Sequence, residues 1–128
     1  MKNVAAAIAV RNNKVLVTRR APGQNLAGFW EFPGGKLEPG EDAQQCIERE
    51  LAEELGIRVR AGEVLIESVY RYAGGTINLI GVKVEIIDGD IELRVHDAYR
   101  WSEPSKLNEL DLAPADLPLA EEIIRRYG

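Results

Sequence analysis

Apolar residues keep two different periods along this chain, and the change between them divides it. Val4 to Val10 and Lys14 to Arg19 are β-prone runs separated by Arg11-Asn12-Asn13, which predicts a strand, a tight turn and a second strand. Ala21 to Gly28 carries Pro22, Gly23, Asn25 and Gly28 and reads as a loop; the short aromatic run Phe29 to Pro33 follows, and Gly34-Gly35 ends it. Then the period lengthens. Ala43, Ile47, Leu51 and Leu55 recur every four residues, Asp42 is placed to cap the start of a helix, and Gly56 stands just past its end. Three more strand-like runs come next, Glu63 to Tyr72, Thr76 to Ile87 and Asp97 to Trp101, with Gly74-Gly75 and Asp88-Gly89-Asp90 as turns. A second helix is expected over Leu117 to Arg126. The order strands, helix, strands, helix, without repeat or linker, predicts an α+β fold, an α/β/α sandwich formed as one domain over residues 1–128.

Composition narrows the function. A chain of 128 residues can bury roughly two-thirds of its unfolded surface, enough for a core without staples. The single cysteine, Cys46, excludes an internal disulfide, and "MKNVAAAIAV" reads as a strand and not as a signal peptide. No apolar run approaches the roughly 20 residues that span a bilayer, so the expectation is a cytoplasmic protein without a membrane partner. The net charge of −5 argues against a nucleic-acid polymer, which needs clustered Lys and Arg; an acidic protein that handles phosphates needs a cation.

The first helix holds the candidate chemistry. With each residue advancing about 100°, Glu54 and Glu53 lie near +40° and −60° of Glu50, so three carboxylates share one face beside the buried stripe of Ile47, Leu51 and Leu55, while Glu48 points elsewhere. Like charges at this spacing each cost an isolated helix roughly 0.2–0.5 kcal/mol. A hard dication offsets that repulsion: oxygen ligands suit Mg²⁺ or Mn²⁺, and the His and Cys that zinc favours are missing. A solvated acidic face is the plain alternative for the helix alone. The loop in front of it, Gly34 to Glu41, alters the balance. Gly34-Gly35 can expose backbone groups at close range, and Pro39-Gly40 makes a turn that delivers Glu41 to the helix start.

Read together, Gly35, five residues, Glu41, seven residues and Arg49-Glu50-Leu51-Ala52-Glu53-Glu54-Leu55-Gly56-Ile57 resemble a complete Nudix box over 23 residues. The resemblance implies a Nudix fold with a mixed sheet. It implies that Glu50, Glu53, Glu54 and the Gly35 carbonyl bind Mg²⁺, and that Arg49 and Glu41 pair to brace the loop against the helix. Glu50, or a carboxylate outside the box, would take the proton from the attacking water. "TRRA", "GFWEFPGGK" and "LAPADLP" resemble the MutT-type branch, whose members cleave nucleoside triphosphates to monophosphate and pyrophosphate. By that similarity Arg20 contacts the nucleotide, Lys36 faces the phosphates, Glu31 and Phe32 sit near the base or sugar, and Asp116 reads the base. Asp116 stands where this branch has Asn and its cytidine-nucleotide-cleaving relatives have Asp; it is equally placed to cap the last helix. The substrate is therefore read as a small-molecule nucleoside triphosphate. An oxidised precursor such as 8-oxo-dGTP is placed first, with CTP, dCTP or 5-methyl-dCTP as the alternative, for a monomer or homodimer. A nucleotide-holding module without turnover is the reading from another class.

The pattern is broken once. Val95 occupies the position where the branch carries an extra Glu before His, leaving Asp97 as a substitute only if no bulge intervenes. His96 and Cys46 read as structural, and Trp30 and Trp101 as core or rim.

Overall fold

The computed structural model describes all 128 residues. Strand β1 (Lys2–Arg11) and strand β2 (Lys14–Arg20) pair antiparallel through Arg11↔Lys14. Asn12 and Asn13 turn between them at φ 52° and 62°, the left-handed pair that matches the twist of a two-residue hairpin and that Asn tolerates. Beyond the loop at 21–29 come β3 (Trp30–Glu31) and β4 (Gly34–Lys36), then helix α1 (Ala43–Leu55). The chain returns through β5 (Arg58–Tyr72), β6 (Gly75–Asp88) and β7 (His96–Ser102), and after a 3-10 segment at Pro104–Glu109 it ends in helix α2 (Leu117–Tyr127).

The sheet runs β3-β2-β1-β6-β5, with β4 also on β1 and β7 also on β2. β1 and β6 are parallel, from Lys2↔Ile77 to Ala9↔Val84, and the other pairs are antiparallel, which makes the sheet mixed. Alternation along β1 feeds both cores. Ala5, Ala7 and Ala9 face Ile47, Leu51 and Leu55 of α1; Ala6 and Ile8 face Leu119, Ala120 and Ile123 of α2. The result is the expected α/β/α sandwich, with α1 and α2 on opposite faces of β1.

The caps of α1 are those its sequence predicts. Asp42 Oδ1 accepts from Gln45 N at 2.7 Å while the Gln45 side chain accepts from Asp42 N, and Gly56 closes the far end at φ 67°. Its last carbonyls find help from outside the helix: Arg94 Nη1 donates to Ala52 and Glu53, and Glu92 N donates to Leu55.

Two features differ from the sequence reading. β5 begins at Arg58, five residues before the expected Glu63, because it is an edge strand whose register shifts around Gly62 hide its alternation. Gly34–Lys36 is a strand and not a free loop. It pairs with β1 through Val4↔Lys36, Ala5↔Gly35 and Ala6↔Gly34, a closeness that only glycine permits, since a Cβ on Gly34 would stand 1.9 Å from the Ala5 carbonyl oxygen. Gly34→Ala is therefore expected to destabilise the protein by roughly 3 kcal/mol, the upper end for overpacking, because the obstacle is backbone. Urea unfolding read by circular dichroism checks this, and an unchanged midpoint would mean that β4 lifts away from β1 freely.

Candidate active site

α1 and β4 together set the acidic face. Gly35 lies so close to α1 that an added Cβ would meet the Glu50 carboxylate at 2.6 to 2.8 Å. The Gly35 carbonyl faces the helix too, 3.4 Å from Cys46 Sγ. Burial, followed by the charge of Glu41, pushes the Cys46 thiol up to about 11, so it stays protonated as a weak donor and is no nucleophile.

Arg49 gathers the surrounding charges. Its Nε and Nη2 reach Glu41 Oε2 and Oε1 at 2.7 and 3.0 Å, a bidentate pair between the loop and the helix. Its Nη1 donates to Glu50 Oε1 at 2.8 Å and Glu53 Oε2 at 3.3 Å, and its Nη2 to the Lys36 carbonyl at 3.1 Å. The hydrogen bonds from Arg49, with a smaller contribution from the Glu38 backbone, hold the Glu41 carboxyl at about 2.

Glu54 differs from its neighbours. It points under β4, and its Oε1 is buried with no hydrogen-bond partner. Burial first, then the charges of Glu50 and Glu31, push its carboxyl up to about 8, against a smaller downward pull from the Gly34 backbone and Arg20. Glu48 is turned away and accepts from Ala61 N at 3.0 Å. With the side chains as they stand, Glu50 and Glu53 are drawn to Arg49, and no three acidic, His or Cys side chains converge at metal-ligand spacing. The donors nonetheless suit a hard dication in kind: carboxylate and carbonyl oxygens, one of them buried and without a donor.

A cavity of about 270 Å³ runs from this face to the other candidates, lined among others by Gly34, Gly35, Lys36, Glu54, Arg20, Glu31, Phe32 and Asp116. Lys36 is exposed at its rim. Arg20 Nη1 and Glu31 Oε1 are 2.9 Å apart on its wall. Asp116 lines the cavity too, and here the capping expectation fails: its side chain makes no cap bond to α2. It is 7% exposed and turned inward, where Oδ2 accepts from Phe32 N at 2.8 Å. A single N–H does not repay its loss of water, so burial, helped by Glu31, pushes its carboxyl up to about 7, with Phe32 N and Arg20 pulling the other way. Leu26, Ile77 and Ala115 supply apolar wall and separate this cavity from a neighbouring one of about 450 Å³ that Tyr70 and Tyr72 line. No sequence signal marks these residues; Leu26 stands out only by its φ of 57°, unusual for a leucine.

Other residues fall outside the cavity. The register of β2 and β7 shifts between Arg19 and Arg20, so Asp97 does not take the place of the missing Glu; its Oδ1 is held by Arg19 Nε at 2.7 Å. Val95 is exposed, its carbonyl accepting from Gln24 Nε2 at 2.9 Å. Trp30 is a rim residue flanked by the guanidinium groups of Arg19 and Arg100 at 5.6 and 5.2 Å from its ring centroid.

Residues 1–123 match the model of a family described as "NUDIX domain". The chain is 40% identical over 121 residues to the CTP pyrophosphohydrolase of Escherichia coli K12, covering 94% of this chain and 90% of that one. It is 32% identical over 128 residues to the 8-oxo-dGTP diphosphatase of the same organism, covering 98% and 99%. The solution structure of the E. coli ORF135 protein superposes with a TM-score of 0.85 at 38% identity, covering 98% of this chain and 89% of that chain. The family match over residues 1–123, with a fold that superposes on such a relative, makes this chain a member of the NUDIX domain family and a Nudix hydrolase.

Proposed function

We propose that the chain hydrolyses nucleoside triphosphates to the monophosphate and pyrophosphate with Mg²⁺, or Mn²⁺ in its place. One observation carries this reading: a single cavity is lined by Asp116 and Phe32 together with Gly35, Lys36 and Glu54. Glu50, Glu53, Glu54 and the Gly35 carbonyl would hold the cation, which when bound neutralises phosphate charge and lowers the pKa of a water. Arg49 sets the carboxylates and Glu41 fixes Arg49, so that β4 and α1 present their oxygens to one side. Glu50 is the best-placed base. Arg49 occupies its Oε1 and leaves Oε2 free of hydrogen bonds, Val95 carries no proton acceptor on its side chain, and Asp97 is engaged elsewhere. Lys36 at the rim meets the phosphates, and Arg20, Glu31 and Phe32 line the sugar and base.

The base preference rests on Asp116. Its ionised oxygen accepts hydrogen bonds from an exocyclic amine, as cytosine offers. That supports the cytidine set, CTP, dCTP and 5-methyl-dCTP, and the greater identity to the CTP pyrophosphohydrolase points the same way. A second reading, 8-oxo-dGTP, has its own support: with the carboxyl near 7, a protonated Asp116 coexists at neutral pH and can donate to a purine acceptor. Product chromatography over CTP, dCTP, 5-methyl-dCTP, dGTP and 8-oxo-dGTP decides between them by kcat/KM. If ionised Asp116 reads a cytosine amine, kcat/KM for CTP rises with pH through about 7, and Asp116→Asn removes that rise. A preference for 8-oxo-dGTP over dGTP that declines across the same range reverses the assignment, and cleavage of none of the five ends the nucleotide reading.

Glu53 is well exposed, with its side chain 60% accessible, so Glu53→Gln is expected to leave the melting temperature nearly unchanged. Activity should fall about 100-fold or more as one charged oxygen donor is lost. Equal activity in that variant would exclude the acidic face as the metal site.

Glu54 and Asp116 also make a stability prediction. Both carboxyls sit above their usual values, at about 8 and 7, so the folded state binds their protons more tightly than the unfolded chain does. Their contribution is complete below about pH 4, is lost as pH rises, and is gone above about 8. Without divalent cation the melting temperature should drop between pH 5 and pH 8, Glu54→Gln should flatten much of that drop, and Mg²⁺ should reduce it. A flat profile in the metal-free protein would show that neither carboxyl is raised.

A further inference from the structure

His96 is the only histidine of the chain, and its side chain is 2% exposed at the first position of β7. The register shift in β2 sets it opposite Arg20. Its Nε2 lies 3.0 Å from Glu31 Oε2, and Glu31 uses its other oxygen, Oε1, to accept from Arg20 Nη1 at 2.9 Å. Arg20 Nε in turn donates to the Asn25 carbonyl in the loop over the cavity. Imidazole, carboxylate and guanidinium thus form one line of hydrogen bonds that ends on the cavity wall. Glu31 and Arg20 stand on that wall; His96 does not.

The second ring nitrogen is informative. Nδ1 is buried and has no hydrogen-bond partner. A carboxylate only accepts, so the proton facing Glu31 sits on Nε2. With the proton on Nε2, Nδ1 is left as an acceptor without a partner. If the site needed only filling, an apolar ring or leucine would fill it without any unmatched nitrogen. What the histidine adds is the bond to Glu31.

We propose that His96 is a positioning residue for nucleotide binding: by donating from Nε2 to one oxygen of Glu31, it orients the other oxygen to hold Arg20 toward the nucleotide. Arg20 is long and flexible, and a partner fixed at both oxygens reduces the freedom it loses when substrate arrives. His96 makes no hydrogen bond to the carboxylates of α1, so its loss acts on binding more than on the chemical step. The inference rests on the nucleotide reading of the cavity.

The test uses the full chain with its preferred nucleotide and Mg²⁺. In His96→Leu, KM is expected to rise roughly five- to ten-fold, the worth of one hydrogen bond, with a smaller fall in kcat. His96→Gln, whose amide can donate to Glu31, should recover most of that loss. Adding His96→Leu to Glu31→Gln should raise KM little further, because the two changes break one chain. An unchanged KM in the leucine variant, a kcat loss without a KM change, or leucine and glutamine variants that behave alike would each overturn the proposal. The ¹⁵N signals of the imidazole in the nucleotide-free protein give a reading that needs no turnover: protonation at Nε2, displaced by Glu31→Gln, is expected, and protonation at Nδ1 overturns the contact. Absence of turnover by the unaltered chain overturns the nucleotide reading instead, and the ring signals then still decide whether His96 holds Glu31.

Discussion

The guanidinium of Arg49 lies where four acidic side chains meet, and the geometry of the site depends on it. Glu50 and Glu53 lean on it from the same helix, Glu41 grips it with both oxygens from the loop, and Glu38 stands 3.6 Å away. Without this cation Glu50 and Glu53 would repel one another and the loop that bears Glu41 would lose its ion pair to α1. The hydrogen bond from Arg49 to the Lys36 carbonyl extends the same hold to β4. β4 is itself pressed between β1 and α1, and its two glycines remove the side chains that would otherwise keep these layers apart. Charge and steric closeness therefore act on the same few residues.

Glu54 lies beyond the reach of Arg49, and that sets its character. Its buried oxygen has no donor within the protein, and its nearest charges are mostly of its own sign. Along the cavity the same logic recurs at Asp116, with one N–H for company. On the same cavity wall Arg20 is held by Glu31, which His96 backs. The cavity is thus lined by two carboxyls that resist ionisation and by an arginine held through Glu31.

Much of this was legible in the sequence. The four-residue repeat from Ala43 to Leu55 with Asp42 and Gly56 at its ends gave the helix and its caps, because helix period and capping depend on residues only a few positions apart. The spacing of Glu50, Glu53 and Glu54 put them on one face for the same reason, and the box resemblance tied Glu41 to Arg49 across eight residues. Less local features were not legible. β4 reads as a loop because its pairing with β1 is licensed by what Gly34-Gly35 lack. Asp116 has the chemistry of an N-cap, yet a residue 84 positions earlier offers Phe32 N and takes its carboxylate inward.

The sequence by itself determined the helices, most strands, the acidic face and the family to which the chain belongs, since these are written in short-range spacing, whereas the pairing of β4 is not. Tertiary structure alone decided which carboxylates are raised, which are held down and which residues share the cavity. Those properties depend on burial and on distances between β2, β3, β7 and α2, elements far apart along the chain. A register shift of one residue between Arg19 and Arg20 turns Asp97 to Arg19 and His96 to Glu31, and no local pattern in either strand announces it.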